Sequence, residues 1–148
     1  MNNISEKGIM EPKEVLMAFM SEMQKIEMEA NKKYKKIIVG RQYKEDPAIL
    51  HEYFNDKVKQ IYQKYCSLKN IKKARLQEFG DPTIYDPKKE KIVEITNKTT
   101  QKVIIITERI LLNIIIKYKY TIIKEQGNWR IDSKMAIYDD RKPIKGLL

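Results

Sequence analysis

Few residues in this sequence are of a type and spacing that could do chemistry. His51 is the sole histidine, placed on the first turn of a helix-forming segment. It lacks the second histidine or clustered Cys/Asp set that a metal centre or a nucleophilic triad needs. Cys66, the sole cysteine, continues an apolar stripe, the position of a small core residue rather than a nucleophile. Tyr118 and Tyr120 can donate hydrogen bonds to a bound molecule. Acid–base chemistry in an apolar cavity also requires a carboxylate or imidazole whose pKa is moved by burial. The inward positions assigned below to the final strands are Ile, Tyr, Trp, Ser and Met, with no inward carboxylate or histidine. The residues predict no catalytic constellation, no metal and no cofactor.

Charge is the other chemical signal. The formal net charge is +10, which attracts anionic partners of any kind. Of the 30 basic residues only Arg41, Arg75, Arg109, Arg130 and Arg141 are arginine, the side chain suited to bidentate phosphate and guanine contacts. The lysine clusters at residues 32–36 and 69–75 interleave only Tyr34 as an aromatic, and its spacing assigns it to a core face. Nucleic-acid binding is therefore not expected, whereas attraction to an acidic protein surface is.

The element that organises these residues is a long antiparallel hairpin. Ile114, Ile116, Tyr118, Tyr120 and Ile122 alternate onto one face and Lys117, Lys119 and Thr121 onto the other. With Gln126-Gly127 at the turn, Ile122 lies opposite Ile131, Tyr120 opposite Ser133 and Tyr118 opposite Met135, so both strands are apolar on one side. The same register puts Trp129 on the inner side and gathers Lys117, Lys119, Arg130, Asp132, Lys134 and Tyr138 on the outer face, which is either the candidate partner-binding patch or an ordinary solvated sheet face. Asp132 is expected to anchor a local hydrogen bond or to pair diagonally with Lys119.

The preceding chain must back this hairpin. Residues 1–10 read as a frayed terminus, and residues 11–148 as a single domain. Pro12 opens an amphipathic helix on which Leu16, Phe19, Met20, Met23, Ile26, Ala30, Tyr34 and Ile37 recur at helical spacing, with Gly40 as its stop. Glu22, Glu27 and Glu29 are assigned to its polar face, which disfavours a membrane-surface role. Asp46-Pro47 starts a second helix carrying Leu50, Tyr53, Phe54, Val58, Ile61, Tyr62 and Tyr65, which ends near Lys69-Asn70. A short strand is expected at residues 73–79 and a turn at residues 83–87. Strands follow at residues 91–96 and 102–108, the second apolar on both faces and so interior. The tail from residue 139 is expected to wrap rather than extend the sheet. Helices then strands make an α+β fold. No membrane-spanning run and no secretion signal are visible, and one cysteine suits a reducing compartment, so the expected location is cytoplasmic.

These residues resemble a known family. The element order, the segment Tyr85-Asp86-Pro87, the long Met-rich first helix, and the closing Gly127, Trp129, Ile131 and Asp132 of a Gly-x-Trp-x-Ile-Asp phrase are similar to NTF2-fold immunity proteins of bacterial toxin–immunity pairs. The similarity spans roughly residues 11–138; one departure is Thr83-Ile84, where related chains often carry a second proline. It implies an NTF2-like cone, two N-terminal helices packed on a curved antiparallel sheet of four to five strands. It also implies neutralisation of a cognate toxin by direct binding, without catalysis or cofactor. The toxin's contact surface would be acidic, to match the charge of this chain. The alternative within the same fold is a small-molecule-binding domain or an isomerase- or dehydratase-type enzyme using the cone pocket. A homodimer is compatible with either.

Overall fold

The computed structural model describes residues 10–40, 47–75, 83–137 and 144–145. The expected frayed residues 1–9, Asp46, Tyr138 and most of the strand expected at 73–79 lie outside the described residues. Helix α1, Pro12–Gly40, and helix α2, Pro47–Tyr65, lead into a one-turn helix α3, Leu68–Ile71. Five strands follow: β1 Lys91–Thr99, β2 Lys102–Leu111, β3 Ile114–Glu125, β4 Asn128–Ile137 and β5 Ile144–Lys145. They form one antiparallel sheet in the order β1-β2-β3-β4-β5. This is the α+β arrangement expected of an NTF2-like cone. The tail does not merely wrap, because β5 adds a two-residue edge pairing to β4 at Met135 and Ala136.

The helices bury the stripes their spacing predicts. Leu16, Phe19, Met20, Met23 and Ala30 of α1 meet Leu50, Phe54, Val58, Ile61 and Tyr62 of α2 over the inner sheet residues Val103, Ile105, Tyr120, Ile122 and Ile131. Tyr53, assigned to the same stripe, is 44% exposed at its margin. Phe19 is the hub. Its ring makes edge contacts with Tyr62 at 5.5 Å, Tyr65 at 6.5 Å and Tyr85 at 5.1 Å, tying both helices to the segment before β1.

Helix α2 stops where the chain must reach the sheet. Cys66 forms a parallel bridge with Ile131, the Ser67 N–H donates to the Ile131 carbonyl at 3.0 Å, and the Asn70 amide is shared between the carbonyls of Ile131 and Asp132. This connector covers part of the β4 edge that β5 leaves unpaired. Across the other side, the Glu22 carboxylate on α1 takes the Lys64 ammonium at 3.0 Å and the Tyr65 hydroxyl, holding the two helices together.

The hairpin register holds near its turn and fails further out. Gln126 and Gly127 take φ of 51° and 80°, the pair of positive values that a two-residue turn between twisted strands requires. Ile122 faces Ile131 and Ile123 faces Arg130, as expected. A bulge then intervenes, so that Thr121 faces Ser133, Tyr120 faces Lys134 and Tyr118 faces Ala136. The extra residue, Asp132, reverses the facing of everything after it. Lys134, expected outside, is 5% exposed and points into the core, while Met135 moves outward.

Because Phe19 is fully buried at the junction of three rings, Phe19→Ala is expected to lower unfolding free energy by about 3–5 kcal/mol. Urea denaturation measures this, and a loss below about 1 kcal/mol would mean that the junction is not packed as described.

Candidate functional site

The interior is not purely apolar. Glu27, Glu90, Thr107, Arg109 and Lys134 are at most 5% exposed; the carboxylates come from α1 and the turn before β1, and the inward position of the final strands that departs from expectation is Lys134. Glu27 also leaves the polar face assigned to it. It follows Met23 by four residues and precedes Ala30 by three, and so shares their buried stripe.

Each of these groups has local work to do. The carboxylate oxygens of Glu27 accept the backbone N–H groups of Ile84 at 2.8 Å and Tyr85 at 3.1 Å. From β2, the Arg109 guanidinium donates to the carbonyls of Ile84 at 2.7 Å and Thr83 at 2.9 Å. Residues 83–85 are thus held by an acid on their amides and a base on their carbonyls. The same segment is braced internally. The Thr83 hydroxyl donates to the Tyr85 carbonyl at 2.7 Å, and Asp86 Oδ1 accepts the N–H groups of Lys88 and Lys89. Tyr85 and Asp86 are buried and Pro87 half-buried, so these motif residues rigidify a turn.

Glu90 follows that turn. Its Oε2 accepts the hydroxyls of Thr107 at 2.6 Å and Tyr120 at 2.8 Å, while its Oε1 has no partner among the described residues. The hydroxyls of Tyr62 and Tyr85 and Nε of Arg109 are likewise buried and unpartnered. Above Glu90 the Lys134 ammonium lies 4.4 Å from the Tyr85 ring centroid, 4.5 Å from Tyr118 and 5.8 Å from Tyr120. Three aromatic faces give a buried cation an electrostatic partner without a hydrogen bond.

Burial sets the proton affinities. It raises Glu27 to about 7 against the opposing pull of the Ile84 and Tyr85 amides and of Lys134 and Arg109. It lowers Lys134 to about 8, against Glu90 and Glu27, which favour the cation. Burial and nearby Glu90 push the Tyr120 hydroxyl well up. The Cys66 thiol is also pushed up by burial, only partly offset by Arg130, which leaves it inert at neutral pH. His51 is exposed on α2. Among the described residues no His, Cys, Asp or Glu group is clustered to hold a metal. A groove of about 590 Å³ on the flank of α1 is lined by Lys32, Lys35, Glu29, Thr83 and Asp86 among others, but Glu27, Glu90 and Tyr120 do not line it.

The expected outer-face set is only partly assembled. Lys117 and Lys119 stand on the outer face of β3, opposite Ile137 and Met135. Arg130 reaches back to the carbonyls of Gln63 and Lys64 at the end of α2, at 2.9 Å for Gln63. Asp132 pairs with Lys69 at 3.1 Å rather than with Lys119, an exposed pair worth under ~1 kcal/mol. Lys134 is inside, and Tyr138 lies outside the described residues. Of the closing motif, Gly127 makes the turn, Ile131 is fully buried, and half-buried Trp129 carries the Lys124 ammonium 5.6 Å over its ring. Spacing could have found Glu27 on the α1 stripe, and Thr107 and Arg109 continue the inward alternation of Val103 and Ile105. Nothing local marks Lys134.

The raised Glu27 pKa fixes a sign. A carboxyl that binds its proton more tightly in the folded than in the unfolded chain adds stability below about 4.5, and this is lost as pH rises through about 7. The stability of the native protein relative to Glu27→Gln is therefore expected to fall between pH 4.5 and 7.5, by up to about 3 kcal/mol. Urea midpoints across that range measure it; a difference that is flat or grows with pH contradicts the burial of this acid.

Comparison with known proteins places this geometry. No curated protein and no solved structure matches the chain. The family model described as NTF2 fold immunity protein matches residues 11–146, from the start of α1 through β5. The helices, the sheet and the clamped segment at residues 83–90 all lie within that match. The chain belongs to the family of NTF2 fold immunity proteins.

Proposed function

We infer that this protein neutralises a bacterial toxin by binding it directly in the cytoplasm, with no chemistry of its own. The observation that carries this reading is the family match across residues 11–146. The interior supports it. Both Glu27 oxygens hold backbone amides and Arg109 holds backbone carbonyls, so these two buried groups serve the chain itself. None of the described helices is long and apolar enough to cross a membrane.

The contact patch is assigned to the outer face of β2 and β3, centred on Lys117 and Lys119. Arg130 and Asp132 flank it from the β4 edge, where they also staple α2 and α3 to the sheet. With a net charge of +10, capture is fastest on an acidic toxin surface, and opposite charge acts mainly on the association rate. A stable complex of this kind buries on the order of 1,200–2,000 Å² in total.

One observation favours a second reading, a pocket enzyme or binder. Glu90 Oε1 and the Tyr62 and Tyr85 hydroxyls are buried without partners, and Glu27 is held near neutrality. A catalytic base must nonetheless face a ligand, and Glu27 faces residues 84 and 85.

Co-expression with the toxin domain encoded beside this chain's gene tests the leading reading. The chain is expected to restore growth and co-purify with the toxin; neither effect with any neighbouring toxin contradicts it. Lys117→Glu with Lys119→Glu is expected to slow association about tenfold at low salt. Arg130 is left intact because its guanidinium caps α2. An unchanged rate would move the patch off this face.

A further inference from the structure

The β2–β3 hairpin runs past its neighbours. Pairing with β1 ends at Glu108 and, among the described residues, pairing with β4 ends at Lys117. Residues 109–116 therefore form a two-stranded finger whose only described sheet partners are each other. Its base is fixed, since Arg109 is 2% exposed and bound to the carbonyls of Thr83 and Ile84. Its end is bare aliphatic surface: Ile110, Leu112, Ile114 and Ile115 are 65%, 94%, 58% and 51% exposed. Single exposed aliphatics are ordinary, but adjoining ones on a projecting element mark an interaction surface.

The turn is a second, independent observation. Leu112 and Asn113 take φ of 51° and 65°. Such two-residue turns favour Asn and Gly, because a Cβ is crowded at positive φ. Asn113 fits that requirement and Leu112 does not. Leu112 gains no burial in return, being the most exposed of the large apolar residues described. Unfavourable backbone geometry that presents a large apolar side chain to solvent is uncompensated among the described residues.

We propose that this finger is the anchor of the protein's interface, seating Leu112 and its isoleucine neighbours in an apolar cleft with an acidic rim on a protein partner. The proposal rests on the immunity reading for the partner's identity, the toxin. The rim is acidic because the row across the finger's base, Lys91, Glu108 and Lys117, carries one net positive charge, with Lys119 two residues further along β3 on the same face as Lys117. A lipid surface suits the finger less, since residues 109–116 hold none of the Trp or Tyr that settle at membrane interfaces. A second copy would bring two chains of charge +10 together base to base.

Two variants and one partner test this. The probe is the toxin domain encoded beside the gene, inactivated in its catalytic residue. Leu112→Gly removes the anchor while relieving the turn, so the thermal midpoint is expected to hold or rise as toxin affinity falls at least tenfold. Ile115→Asp is expected to lose at least as much affinity. If the native chain binds and both variants bind as tightly, the finger is not the anchor, though the immunity reading stands. If the native chain fails to bind, both fall. Two further results overturn the choice of partner: Leu112-dependent sedimentation with phosphatidylcholine–phosphatidylglycerol vesicles, or a dimer that Leu112→Gly disperses.

Discussion

The structure depends on how residues 83–85 are held. They run as a short irregular segment through the interior, and irregular backbone in a core must find partners for every amide and carbonyl or lose the desolvation cost of each. Here Glu27 from α1 takes the amides and Arg109 from β2 takes the carbonyls. Hydrogen bonds from the Arg109 cation are stronger than neutral ones, while Glu27, raised to about 7 by burial, receives the amides, and together they satisfy a path that a wholly apolar core would exclude. That path places Tyr85 against Phe19 and brings Glu90 beneath Tyr120, which ties the first helix to the sheet through the turn. Two buried carboxyl groups, Glu27 and Glu90, match two buried cations, Arg109 and Lys134, in number.

Such an arrangement favours a single structure over maximal stability. Ion pairs in a core commonly add little net free energy, whereas removing one partner strands the other at a cost of about 3–5 kcal/mol. The same reasoning gives Glu27 a structural task. A general base must present an oxygen to a ligand, while the oxygens of Glu27 are directed at the chain's own amides. Outside this interior, Lys117 and Lys119 stand on the sheet and the β2–β3 finger projects beyond it.

Much of the fold was legible in the sequence because local pattern and burial agree. Leu16, Phe19, Met20 and Met23 lie on one helical face and are buried, Gln126-Gly127 makes its turn, and Val103 to Ile105 lie in a strand paired on both sides. The departures have separate physical causes, and in the first of them charge is not a reliable sign of exposure. Glu27 was assigned to solvent although its spacing matched the apolar stripe, since a carboxylate is seldom buried unless paired. Strict alternation puts Lys134 outside, but a β-bulge interrupts it, and no residue type around Asp132 announces one. The staples made by Arg130 and Asp132 to residues 63–64 and 69 depend on contacts across more than sixty positions of chain, beyond any local pattern.

The central claim, that buried charges serve to fix residues 83–85, is tested most directly by amide hydrogen exchange measured by NMR on the free protein at pH 8, where Glu27 is ionised. The account predicts that the Ile84 and Tyr85 amides exchange as slowly as core sheet amides such as Ile105 and Tyr120, since all open only with the fold. Exchange of Ile84 and Tyr85 at the rate of an exposed loop would contradict it, and would leave Glu27 and Arg109 buried for some other purpose.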